Sequence, residues 1–95
     1  MFIVLLRLSE NKSKAGNFME GHNQWIKQGF DDGVFLLVGS LQPNKGGAVV
    51  ARNVSLHELQ DRVSQDPFVQ EGIVSAEILE IEPKKADDRL NFLIG

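Results

Sequence analysis

Apolar residues gather in short blocks along this chain, and the spacing within each block predicts a different element. Phe2-Ile3-Val4-Leu5-Leu6-Arg7-Leu8 is rich in β-branched, aromatic and leucine residues and is bounded by Ser9-Glu10-Asn11, which predicts a strand. Its odd and even positions are both apolar, so this strand needs cover on both faces. From about Ser13 to Phe30 the period changes. Phe18, His22, Trp25, Ile26 and Phe30 fall on one stripe of a 3.6-residue helix, and Gly29 with Asp31-Asp32-Gly33 ends it. Val34 to Val38 predicts a second continuous apolar strand, stopped at Gly39-Ser40, and Ala48 to Ala51 a third. Between them Gln42-Pro43-Asn44-Lys45-Gly46-Gly47 suits a long hairpin connection, which makes the two strands antiparallel neighbours.

Ser55 and Glu58 form a capping-box sequence, and Leu56, Leu59 and Val63 follow at helical spacing, so a second helix runs to about Gln65. Asp66-Pro67 then starts a new turn, Asp as the cap and Pro at the first helical position. Ile73 to Ile81 reads as a fourth strand. Beyond Pro83 a charged stretch leads into Leu90, Phe92, Leu93 and Ile94, which are too apolar to stay free in water. The expected organisation is one domain over 1–83 and a tail over 84–95 that docks on the domain or on a partner.

The order strand, helix, strand, strand, helix, strand is the α+β ferredoxin-like βαββαβ arrangement, a four-stranded antiparallel sheet with two helices on one face. Right-handed crossovers put strands one and three in the middle. Two helices cover only one face, yet strands one, two and four are apolar on both. A homodimer packing sheet on sheet is the economical solution.

Composition narrows the functional classes. The 95 residues are 42% hydrophobic and 24% charged, as in an ordinary globular domain. Apolar runs such as Phe2 to Leu6 fall far short of the ~20 residues a bilayer span needs, and no basic start precedes them as in a signal peptide, so a cytoplasmic protein without membrane contact is expected. The absence of cysteine excludes disulfides, thiolate metal sites and cysteine nucleophiles. A net charge of -3 with scattered Lys and Arg argues against a nucleic-acid surface.

With Cys and Tyr absent, proton-transfer candidates reduce to two histidines and the carboxylates. His57 lies off its helix's apolar stripe and reads as a surface residue. His22 lies inside its stripe, facing the sheet. It is either a core histidine bonded to a carbonyl and a water, or a general base oriented by a carboxylate. Asp66 is the carboxylate to test against it. Asp66 is also what any helix cap looks like, and its two oxygens allow one to cap while the other accepts a histidine N–H. Ser40, after Gly39 at a strand end, either polarises a substrate oxygen or merely begins a turn. Gly46-Gly47 lacks the context of a phosphate loop, and no third ligand joins His22 for zinc.

Gly21-His22-Asn23-Gln24-Trp25-Ile26, Leu36-Leu37-Val38-Gly39-Ser40-Leu41, Ser55-Leu56-His57-Glu58-Leu59 and Asp66-Pro67-Phe68-Val69-Gln70-Glu71-Gly72-Ile73, with Ile81-Glu82-Pro83 after the last strand, together resemble the YciI-like (YCII-related) family over Met1 to Pro83. The resemblance implies a dimeric α+β barrel with a His-Asp dyad in a cleft, which falls here on His22 and Asp66. It further implies kinship with dehydrochlorinases and muconolactone isomerases. Many members have Gly-Pro where this chain has Gly39-Ser40, which gives Ser40 the chance of a new polar contact. The leading expectation is a homodimeric enzyme, without cofactor, that moves a proton on a small cyclic or aromatic substrate in a cleft lined by residues such as Trp25 and Phe35. His22 is the expected base, Asp66 its orienter and Ser40 a polar contact. The alternative is a non-catalytic small-ligand-binding or accessory module, since one fold hosts many functions. A haem-binding role is a distant third.

Overall fold

A computed structural model describes residues 1–94. Its sheet contains β1 (Phe2–Leu8), β2 (Phe35–Leu41), β3 (Gly46–Ala51) and β4 (Val74–Glu80), antiparallel in the order β2-β3-β1-β4. A short 3₁₀ turn at Lys12–Lys14 leads into α1 (Ala15–Asp31), and α2 (Leu56–Ser64) and the single turn α3 (Pro67–Gln70) connect β3 to β4. This is the ferredoxin-like α+β fold, with strands one and three in the middle. Among the described residues no helix is long and apolar enough to cross a membrane.

The local signals act as their chemistry requires. Ser55 Oγ accepts from the Glu58 N–H at 3.1 Å while the Glu58 carboxylate takes the Ser55 N–H at 3.3 Å, so the capping box is complete. At the far end of α2 the Arg62 guanidinium reaches Asp32 at 2.8 Å, tying α2 to the end of α1. That bond, with a second from Gln28, holds the Asp32 carboxyl below its usual range.

One face of the sheet carries the core. Phe2, Val4 and Leu6 of β1 lie beside Val49 and Ala51 of β3, and Trp25, Leu59, Val63 and Phe68 close over them from the helices. On the opposite face the register lines up Ile3 with Val50, Leu37 and Leu79, and Leu5 lies between Ala48 and Glu77. Leu37 is 57% exposed and Leu79 41%, and an Arg7–Glu77 ion pair at 2.6 Å borders this apolar centre.

Two sequence expectations change. Strand two does not stop at Gly39-Ser40 but runs to Leu41, and the hairpin turn is shorter, closed by Lys45 N–H donating to the Leu41 carbonyl at 2.9 Å. Within β2 the register shifts between Phe35 and Leu37, because Phe35 pairs with Ala51 while Leu37 pairs with the adjacent Val50. Leu36 is the extra residue of a β-bulge. The bulge turns Leu37 outward and Val38 and Ser40 toward the helices, opposite core-facing Val49 and Gly47.

Phe30, expected in the buried stripe of α1, is 43% exposed. The inward position belongs to Gly29, where a methyl group would run into the ring of Phe35. Gly29→Ala is therefore expected to destabilise the protein by about 1–3 kcal/mol, through overpacking that outweighs the helix propensity of alanine. Thermal unfolding of the variant measures it, and an unchanged or raised midpoint would contradict the packing.

The C-terminal segment Asp88–Leu93 forms 3₁₀ turns, capped by Asp87, whose side chain accepts the Arg89 N–H at 3.0 Å. Leu90, Phe92 and Ile94 remain exposed, although the Arg52 guanidinium sits 5.1 Å from the Phe92 ring centre.

Candidate functional site

The chain from Gln65 to Ile73 builds the floor of the site. Pro67 presets the first helical position and Asp66 caps it, its Oδ1 accepting the Phe68 N–H at 3.0 Å. Asp66 is 0% exposed, the only charged side chain in the buried interior of the described residues. Helix α1 comes close to this turn at Gly21, whose missing side chain leaves room for the Pro67 ring. The next residue, His22, then faces the cap directly.

His22 Nδ1 lies 2.8 Å from Asp66 Oδ1. A carboxylate only accepts, so the contact assigns the proton to Nδ1 and leaves Nε2 with the lone pair in the neutral ring. Among the described residues no protein group pairs with Nε2. The imidazole stacks on Phe68 with ring centres 3.9 Å apart and planes 2° from parallel, and the Trp25 ring centre lies 5.9 Å away with its plane inclined by 22°. Trp25 is itself fixed, its indole N–H donating to the Arg62 carbonyl at 2.9 Å and its ring meeting the edge of Phe35 at 5.1 Å. A bond and two rings thus hold the imidazole in one orientation.

The structure resolves how one carboxylate serves two donors. Both bonds end on Oδ1, whereas the sequence reading gave each donor its own oxygen. Oδ2 is buried without a hydrogen-bond partner among the described residues.

Above this floor, between α1 and the sheet, opens a cavity of about 580 Å³, in the usual range for small-molecule sites. His22, Trp25, Ile26, Met19 and Phe68 line one side, and Leu6, Val38 and Ser40 the other. Ser40 reaches it through the bulge described above. Gly47, opposite Ser40 in the register, adds no side chain to the sheet wall at that point. Its neighbour Gly46 sits at φ +127°, and a side chain there would strike the Leu6 carbonyl. Close backbone approach accounts for the glycine pair.

The structure brings His22 and Asp66 into contact and puts Ser40 on the wall of the cavity that His22 lines, while Phe68, the stacking partner, was not singled out from the sequence. A signal for it was present, because Phe68 is the aromatic residue of the turn that Asp66 caps, and its N–H shares Asp66 Oδ1 with His22. Phe35, expected in the cleft wall, instead packs beneath Trp25 and does not line the cavity. His57 is 84% exposed, near Asp61 at 3.6 Å, and takes no part. Among the described residues no three His, Asp or Glu side chains gather as a metal site would require.

Comparison with known proteins adds two findings. The sequence model of the YCII-related domain matches residues 1–82. Among solved structures, the chain is similar to 5-chloro-2-hydroxyhydroquinone dehydrochlorinase from Burkholderia phenoliruptrix AC1100, in complex with 2,5-dihydroxybenzoquinone, with a TM-score of 0.68 and 13% identity over 85% of this chain and 93% of that one. At that identity the likeness is one of fold. No curated protein matches the chain.

Proposed function

This chain belongs to the YCII-related domain family, and on that premise we propose that it is a cytoplasmic, homodimeric enzyme that transfers a proton on a small cyclic or aromatic substrate without a cofactor. The observation that carries this reading is the part-buried bond from His22 Nδ1–H to Asp66, which leaves Nε2 without a partner among the described residues on a side chain lining the cavity. Nε2 removes a proton next to a substrate carbonyl, or from a ring hydroxyl. The Asp66 carboxylate holds the ring in that tautomer and offsets the charge of the imidazolium as it forms. The electron pair left on the substrate then either shifts and is reprotonated from Nε2, an isomerisation, or expels an anionic leaving group, an elimination. Ser40 donates a hydrogen bond to the substrate oxygen on which charge develops.

The homodimer reading is supported by the apolar sheet face of Ile3, Leu5, Leu37, Val50 and Leu79, which lies opposite the helix-covered core. The same reading keeps 1–83 as the domain and seats the segment beyond Pro83, with exposed Leu90, Phe92 and Ile94, against the partner; Gly95 lies outside the described residues.

The test is a screen of the purified protein against small lactones, enones and chlorinated phenols, with His22→Gln alongside. The wild type is expected to turn over at least one of them, and the variant to bind that compound while losing turnover. A variant that keeps turnover would overturn the assignment of the base.

A further inference from the structure

The walls of the cavity carry a second message, in their charges. His22 is the only ionisable side chain among the described residues that line it; no Lys, Arg, Asp or Glu joins them. The polar groups at its mouth are neutral: Asn23 on α1, Ser40 on β2, and Gln42 and Asn44 in the hairpin turn. None of these four side chains is bonded to another protein group among the described residues, so each has donors and acceptors free for a ligand.

An anionic group entering this space exchanges its hydration shell for apolar walls and neutral dipoles, which strongly disfavours it. Only protonated His22 stands ready to pair with it inside the cavity. An imidazole that has become a counter-ion has no lone pair left and cannot serve as the base, so one ring cannot fill both roles. We infer that the site takes an uncharged ring bearing hydroxyl or carbonyl groups, and rejects the same ring carrying a carboxylate or phosphate. The hydroxyl or carbonyl oxygens meet Asn23, Ser40, Gln42 and Asn44, while the ring itself packs against the apolar wall that includes Trp25, Ile26 and Leu6. The step that excludes His22 as a counter-ion rests on the proposed reading of that residue as the base.

Hydroquinone and 2,5-dihydroxybenzoate form a matched pair for the test, differing by one carboxylate. Their affinities can be compared at neutral pH by NMR, following the indole N–H of Trp25, the only tryptophan, and the ring of His22. Hydroquinone is expected to bind tighter by roughly tenfold or more, the discrimination an unpaired buried charge imposes. Asn23→Lys, an exposed helical position that tolerates the change, supplies the missing cation at the mouth and is expected to erase or reverse the preference. Equal or stronger binding of the carboxylate to the wild type would overturn the inference and leave the His22 reading standing. Silence of both residues toward both compounds would overturn the inference and the cavity's role as a binding site together.

Discussion

Val4→Asp is expected to leave no folded protein, whereas Ile3→Asp, one residue earlier on the same strand, is expected to give a folded monomer. Val4 is 0% exposed and sits between Val49 and Ile78 in the sheet register, on the face the helices cover. A carboxylate there would have no partner, and burying an unpaired charge costs several kcal/mol against a total stability of about 5–15 kcal/mol. Ile3 points the other way, between Val50 and Leu79. In a single chain an Asp at that position stays wet, so the fold survives. In the proposed dimer it is desolvated against a second apolar sheet, so association fails. Circular dichroism and sedimentation of the two variants separate the outcomes. A folded Val4→Asp protein would contradict the core, and a dimeric Ile3→Asp protein would contradict sheet-on-sheet assembly.

Asp66→Asn is expected to cut turnover by a factor on the order of 10²–10⁴, the usual worth of an oriented general base, while the melting temperature moves little. Asparagine caps helices well and keeps an oxygen for the Phe68 N–H, so α3 still starts correctly. The charge that offsets the imidazolium is gone. An amide turned the other way would also donate to Nδ1, move the ring proton to Nε2 and remove the lone pair the reaction needs. Asp66→Ala separates the structural part, because it leaves the His22 Nδ1–H and the Phe68 N–H without their acceptor. At about 1–3 kcal/mol for each of the two stranded donors, a loss of about 2–6 kcal/mol is expected. Melting curves and steady-state rates on both variants measure the two parts. Full activity in Asp66→Asn would reduce Asp66 to a cap.

Most of the scaffold was legible in the sequence because each element carried its own punctuation. Ser55 with Glu58, Asp66 with Pro67, and Gly33 after α1 are local signals, and local chemistry fixed those boundaries. The two histidines separated for the same reason, one on an apolar stripe and one off it. What was not legible depended on distant partners. The exposure of Phe30 follows from the ring of Phe35 pressing on Gly29, and no spacing within α1 reveals that. The end of β2 was misplaced because Gly39-Ser40 looks like a stop when read alone, whereas pairing with Ala48 and Gly47 carries the strand through it. The doubling of both donors on Asp66 Oδ1 depends on how closely α1 approaches α3, a distance set by Gly21 and Pro67 across the fold.

The bulge at Leu36 also bears on how the chain avoids the wrong company. β2 is an edge strand, and the apolar run from Val34 to Val38, if flat, would offer its unpaired backbone groups to any other extended chain. The extra residue breaks the even spacing of those groups, and the other edge, β4, carries Glu77 and Glu80. With both margins blunted, the apolar surface left for self-recognition is the broad face of the sheet. Contact by that face, as in the proposed dimer, closes at two copies, while contact by edges has no natural end and grows into fibrils.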